Sequence, residues 1–218
     1  MQLTAQQFND KLNKNELIIS LIGMSNIGKT FWANSLQSIN FRYICCDDLI
    51  EEKLEPELTK LGYKGLADVA KWMGHPYQNR FPQNQKQYLE LENQTMREIL
   101  SENHQQNTAI DTTGSVIYTD SCPELKEKTF IVYIRAPESH TDRMFQNFLK
   151  HPKPIIWGES FQQKQEQDKH NALAMSYPKL LKYRAEQYEK HADHIISYED
   201  LNYKMTPEEF LNQIHATL

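Results

Sequence analysis

Leu17-Ile18-Ile19-Ser20-Leu21-Ile22-Gly23-Met24-Ser25-Asn26-Ile27-Gly28-Lys29-Thr30 is the stretch that decides the fold of this chain. Its first six residues form a continuous apolar run, the pattern of a strand buried on both faces. The last eight fit G-x-x-x-x-G-K-[ST], with a strand running in and a helical pattern, 29–38, running out. Each position has a physical task. Gly28 lets the backbone come close to a phosphate. The loop amides and the helix N-terminus aim positive partial charge at the anion. Lys29 bridges the outer phosphates, and Thr30 offers a hydroxyl to Mg²⁺. The chain holds seven glycines in all, so a chance match in an ordinary strand-turn-helix is rare. Gly23, Ser25, Asn26, Ile27, Gly28, Lys29, Thr30 and Phe31 are the candidate contacts for a nucleotide, taken as ATP with Mg²⁺.

Outward from this motif, strand patterns recur at 41–45, 108–110, 129–134 and 194–198. Helical patterns fall at 47–58, 65–73, 83–103, 137–149 and 163–191. Thr206 and Pro207 open a last helix as cap and first residue. This alternation predicts an α/β fold: a three-layer, five-stranded parallel sheet flanked by helices. Residues 1–218 read as a single domain. Its core is 16–50 and 104–218, with a helical substrate-binding insertion at 51–103. The segment 149–165, with two prolines, a glycine and Trp157, reads as a lid. Trp32, on the helix after the loop, reads as core.

A length of 218 residues suits one domain with a sizeable insertion. A net charge of −5 argues against a general nucleic-acid or membrane-surface binder. Three cysteines without a CxxC pair argue against a disulfide framework or zinc ribbon. The polar start is unlike a secretory leader, and the longest apolar run is too short to span a bilayer. The expected setting is cytoplasmic, as a monomer or weak dimer. The eight histidines form no HExxH. His191 and His194 read as helix-terminal groups rather than metal ligands.

Past the second strand come Asp47 and Asp48. Carboxylates at that end of a strand face the ligand crevice of open α/β sheets. Asp47 is the candidate base that accepts a proton from an attacking hydroxyl, and Asp48 is the candidate helix cap. Asp111 follows the third strand and is the candidate magnesium-side carboxylate, the alternative being an Asx-turn residue. Arg143 offers a guanidinium plane against which an adenine could stack.

From about residue 16 to 200 the chain resembles the shikimate kinase family of small-molecule P-loop kinases. Asp47, Ile50 and Glu51 match the family's Asp-x-Asp-x-x-Ile-Glu run, with Cys45 in place of its first Asp. Gly114 matches its glycine turn, within Asp111-Thr112-Thr113-Gly114-Ser115. Lys153-Pro154-Ile155-Ile156 is similar to its Arg-Pro-Leu-Leu lid. Arg184 and Tyr188, followed by Ala192-Asp193, match its Arg-x-x-x-Tyr and Ala-Asp. The resemblance implies a P-loop kinase fold and transfer of the γ-phosphate of ATP to a hydroxyl. It implies that Lys153 and Arg184 neutralise charge, and that Thr113, Gly114, Arg184 and Asp47 meet the substrate. For Arg184 the alternative is a surface ion pair with Glu189. For Lys153 it is a solvated lysine. Leu89 stands where the family has the arginine that grips a carboxylate. The expected acceptor is a small hydroxylated metabolite, with shikimate itself disfavoured and Arg80 or Arg97 as possible stand-ins. Two other readings stay open: a decayed nucleotide-binding regulatory module, and a nucleoside or nucleotide kinase.

Overall fold

In the computed structural model, which describes residues 2–163 and 168–216, five strands form one parallel sheet. They are β1 (Ile18–Ile22), β2 (Arg42–Cys45), β3 (Thr108–Asp111), β4 (Phe130–Arg135) and β5 (His194–Ser197). Their spatial order is β2-β3-β1-β4-β5. Helices α1 (Ala5–Asn13), α2 (Lys29–Ser35), α3 (Cys46–Lys60), α4 (Leu66–Met73) and α5 (Phe81–Ser101) lie in the first half of the chain. Helices α6 (Cys122–Lys128), α7 (Thr141–Lys150), α8 (Lys169–His191) and α9 (Pro207–His215) follow.

The inner strands β1, β3 and β4 are buried on both faces because both faces are covered. Ile19 and Leu21 of β1, with Val132 and Ile134 of β4, face Phe8 of α1, Trp32 of α2 and Phe210 of α9. The alternate residues Ile22, Ile110, Ile131 and Tyr133 face Met96 and Ile99 of α5, Leu125 of α6 and Tyr188 of α8. The side-chain period of two therefore separates the two outer layers. β1 lies between β3 and β4, so the chain leaves it in the crevice where strand order reverses. Open α/β sheets bind ligands at such switch points.

A second core ties the helical insertion, 51–103 (the excursion), to the described part of the expected lid, 149–163 (the flap). Ile50 and Leu54 of α3, Trp72 of α4 and Tyr88 of α5 pack with Ile155, Ile156 and Trp157 of the flap and Tyr177 of α8. Trp157 is buried, and its backbone N–H donates to Gln85 Oε1 at 3.0 Å. The flap is thus docked on the excursion. Residues 164 and 165 of the expected lid lie outside the described residues. Among the described residues no helix is long and apolar enough to cross a membrane.

Several expected boundaries are corrected. The helix expected over 29–38 ends at Ser35 and continues as a 3₁₀ turn, Leu36–Ile39. Ser35 and Ser38 donate their hydroxyls to the carbonyls of Trp32 and Ser35, and Asn40 ends the run at φ +67°. Local serine bonds of this kind compete with the regular ladder. Helices α1 and α6 were not expected. α1 buries a single side chain, Phe8, and α6 has seven residues. The expected helix 137–149 begins as a 3₁₀ turn at Glu138–His140 and becomes α7 at Thr141. Asp48 is not the cap of α3. The helix begins at Cys46, directly after β2, so Cys45 is the cap residue and both aspartates lie in the first turn. There they still complement the helix dipole.

Candidate active site

The loop between β1 and α2 has the shape that its glycines require. Gly23 adopts φ +142°, and a Cβ there would stand 2.8 Å from the carbonyl oxygen of Ile134. Gly28 caps α2 at φ +99°, and Asn26 takes φ +64°. Positive φ is open to glycine and tolerated by asparagine. Lys29 is buried, and its Nζ donates to the Met24 carbonyl at 3.1 Å, back across the loop. Burial lowers its pKa, against the opposing pull of Asp111 and Asp47. Lys153 and Arg184 are its like-charged neighbours, and they lower it further. Phe31 is 43% exposed and packs edge-on against Trp32 and Tyr203, so its ring faces outward.

Thr30 Oγ1 donates to Asp111 Oδ2 at 2.6 Å. Asp111 ends the buried strand β3 and pairs in register with Cys45 of β2. A hydroxyl and a carboxylate side by side form a hard-oxygen pair of the type that suits Mg²⁺. Burial pushes the Cys45 thiol up to about 12, so it stays neutral beside them. Among the described residues no three His, Cys, Asp or Glu side chains cluster as a metal cage. That is compatible with a magnesium ion held mainly by phosphates and water. The looped backbone and the oxygen pair therefore fit a magnesium nucleotide.

Asp47 lies in the first turn of α3 and accepts a hydrogen bond from the Tyr88 hydroxyl at 3.3 Å. Its pKa is raised by burial, with Lys29 and Lys153 opposing. Lys153 is half-buried and lines a cleft with Ser25, Asn26, Ile27, Arg143 and Tyr198. Arg143 is exposed, and its guanidinium reaches the Tyr198 hydroxyl at 3.5 Å. Arg184 forms no surface ion pair with Glu189, which instead meets Arg135 at 3.7 Å. It is 2% exposed. One of its terminal nitrogens donates to the Ile156 carbonyl at 2.6 Å, and the guanidinium lies over the Tyr118 ring, 5.4 Å from its centroid. The other terminal nitrogen borders Gly114, 3.0 Å from where a Cβ would stand.

The Thr113-Gly114-Ser115 turn is held from two sides. Tyr188 donates its hydroxyl to the Gly114 carbonyl at 2.5 Å. Thr113 and Ser115 donate theirs to Glu92 of α5, the Ser115 bond measuring 2.6 Å. The Thr113 hydroxyl is thus engaged by Glu92. Both expected stand-ins for the missing arginine are exposed side chains. Arg80 donates to the Lys71 carbonyl at 2.7 Å. Tyr88, Glu92 and Tyr118 belong to this cluster without having been singled out from the sequence as site residues. Glu92 carried one signal: a charged residue on the otherwise apolar stripe Phe81, Tyr88, Met96, Ile99 of α5.

Two measurable consequences follow from this packing. Tyr188→Phe is expected to cost about 1–3 kcal/mol, because the Gly114 carbonyl loses its donor in a dry environment. Denaturant unfolding checks it. Glu92 concerns pH. Burial lifts its carboxyl from 4.5 to about 7, while the bonds from Ser115 and Thr113 pull it down. A raised carboxyl binds its proton more tightly in the folded state. Its stabilising contribution is complete below the unfolded value and is lost as pH rises through the folded one. Wild-type protein should therefore lose about 3 kcal/mol of stability between pH 4.5 and 8 from this group. Glu92→Gln should flatten that part of the profile, as read by urea titrations at several pH values.

A scan against protein-family models gives no match, and no curated protein matches the chain in sequence. Solved structures do match its fold. A shikimate kinase from Bacteroides thetaiotaomicron aligns with a TM-score of 0.59 and 18% identity, over 92% of this chain and 97% of that one. A shikimate kinase from Acinetobacter baumannii, solved in complex with shikimate, aligns with a TM-score of 0.59 and 19% identity, over 94% and 97%. One from Aquifex aeolicus aligns with a TM-score of 0.54 and 18% identity, over 92% and 98%. The fold is that of the P-loop kinases, in the form that these shikimate kinases share.

Proposed function

We propose that this protein is a P-loop phosphotransferase that moves the γ-phosphate of ATP to a hydroxyl of a small metabolite. One observation carries the reading. Asp111, Asp47, Lys153 and Arg184 all act electrostatically on Lys29, which supports a common site for these five candidate residues from separate parts of the chain. Magnesium-ATP, when bound, supplies the phosphoryl group and the metal charge. Asp47 accepts the proton of the acceptor hydroxyl. Its raised pKa makes it a better base than an exposed carboxylate, and Tyr88 fixes its orientation. Lys29, Lys153 and Arg184 offset negative charge that develops on the moving group. Thr30 and Asp111 hold the metal side, and Arg143 lies beside the base. Gly114 offers backbone to the acceptor.

In this reading residues 51–103 are the acceptor-binding insertion and 149–165 the lid, on a core of 16–50 and 104–218. The protein works in the cytoplasm as a monomer or weak dimer. Titration calorimetry with a non-hydrolysable ATP analogue, with and without Mg²⁺, tests the nucleotide site. Single-turnover transfer from γ-labelled ATP to hydroxylated metabolites tests the chemistry. Tight nucleotide binding without transfer to any acceptor would favour a regulatory module instead.

A further inference from the structure

Glu92 of α5 takes no part in the transfer step above, yet it is 1% exposed and both of its carboxylate oxygens are engaged. Thr113 Oγ1 donates to one oxygen, and Ser115 Oγ donates to the other at 2.6 Å. We propose that Glu92 is a positioning residue: its reach sets the Thr113-Gly114-Ser115 turn against Asp47, so that an acceptor held on the turn meets the base. The proposal rests on the kinase reading.

The turn is referenced to the rest of the site from three sides. Thr112, just before it, donates its hydroxyl to the Leu21 carbonyl at 2.8 Å, on the strand that runs into the phosphate loop. Tyr188 of α8 holds the Gly114 carbonyl at 2.5 Å. Glu92 supplies the third side, from the helix that also carries Tyr88. Tyr88 and Glu92 are four residues apart, so they share one face of α5. The Tyr88 hydroxyl donates to Asp47 at 3.3 Å. One turn of one helix therefore holds the candidate base at one end and the acceptor turn at the other.

The choice of a carboxylate needs a reason, because burying one is costly even when it is hydrogen-bonded. Apolar side chains of similar volume would join α5 to the sheet at least as well. What a carboxylate adds is geometry. Two bonds from its two oxygens to two points on the turn fix orientation as well as distance. Asp47 and Arg184 act on Glu92 with opposite sign, Asp47 disfavouring its charge and Arg184 favouring it.

The test separates reach from charge. It uses the full chain at pH 8, above the value of about 7 to which burial raises the Glu92 carboxyl. Glu92→Gln keeps the reach, since its amide oxygen accepts from one hydroxyl and its N–H donates to the other. It also removes a buried charge, so it should melt no lower than wild type. Glu92→Asp keeps the charge and is shorter by one carbon–carbon bond, about 1.5 Å. The readout is the initial rate of transfer from γ-labelled ATP against the amount of a polar cell extract, at low extract, where the slope follows kcat/KM for the acceptor. Calorimetry with a non-hydrolysable ATP analogue and thermal melts accompany it.

The Glu92→Gln slope should stay within about twofold of wild type, and the Glu92→Asp slope should fall about tenfold or more, with ATP affinity unchanged in both. Glu92→Leu removes both bonds, should fall as far, and stands in for Glu92→Asp should that chain not fold. A low slope for Glu92→Gln overturns the inference, as do normal slopes for the other two variants. A fall that comes with equally weakened ATP binding overturns it as well, and all of these leave the kinase reading intact. No transfer by the wild type, with ATP bound, overturns the kinase reading and the inference with it.

Discussion

Asp47→Asn is expected to bind ATP as the wild type does and to transfer phosphate about 100- to 10,000-fold more slowly, the range for loss of a positioned general base. The substitution is nearly isosteric. Asn keeps an oxygen where Tyr88 donates at 3.3 Å, so the geometry of the first turn of α3 should persist. What disappears is the basic carboxylate, since a neutral amide oxygen still accepts a hydrogen bond but does not take up the proton. The effect on stability should run the other way. Burial raises the Asp47 pKa, meaning that the folded chain disfavours its charge. A group of this kind contributes stability at low pH that is lost as pH rises through its folded value. At neutral pH the amide removes that penalty, so the variant should melt no lower than wild type. Rapid-quench transfer measurements, calorimetric ATP binding and thermal melts together check the three parts. Normal transfer by Asp47→Asn would remove Asp47 from the chemistry.

The part of this site that the sequence made legible is the part built locally. The P-loop is one strand, one turn and one helix start within 14 residues, and its glycines are dictated by backbone angles. The same holds for the position of Asp47, which follows from its place two residues past Cys45, the end of β2 and cap of α3. The sheet was legible because β1 and β4 are buried on both faces and read as unbroken apolar runs. What escaped depends on contacts distant in sequence. Glu92 and Thr113 are bonded across 21 residues, and Arg184 and Ile156 across 28. No spacing rule connects them. Arg184 lies on α8, whose exposed stretches look like an ordinary charged helix, so its burial under the flap could not be read from its neighbours. Helices α1 and α6 escaped for a different reason. They bury one and two side chains, too few to set up a periodic stripe. A signal for α1 existed in Thr4 and Gln7, which form a capping box.

Lys29 separates function from stability most sharply. It is 7% exposed, and its hydrogen-bond partner is the backbone carbonyl of Met24 rather than a carboxylate. A cation desolvated to this degree, with burial as the leading cause of its lowered pKa, costs the empty protein free energy. Such an arrangement persists where a ligand supplies the missing negative charge. Lys29→Met keeps the length and apolar stem of the side chain and removes the ammonium. The melting temperature is expected to stay within a few degrees of wild type. Transfer is expected to fall about 100- to 1,000-fold, the cost of deleting one preorganised charge from a phosphoryl-transfer site. Because Lys29 meets the phosphates before and during transfer, part of the loss should appear as weaker ATP binding and part as a lower kcat. The signature to look for is the combination: intact melting, weakened nucleotide binding and slow transfer. A Lys29→Met protein that melts far below wild type would make this lysine a structural buried charge. One that binds and transfers normally would move the phosphate site away from the loop between β1 and α2.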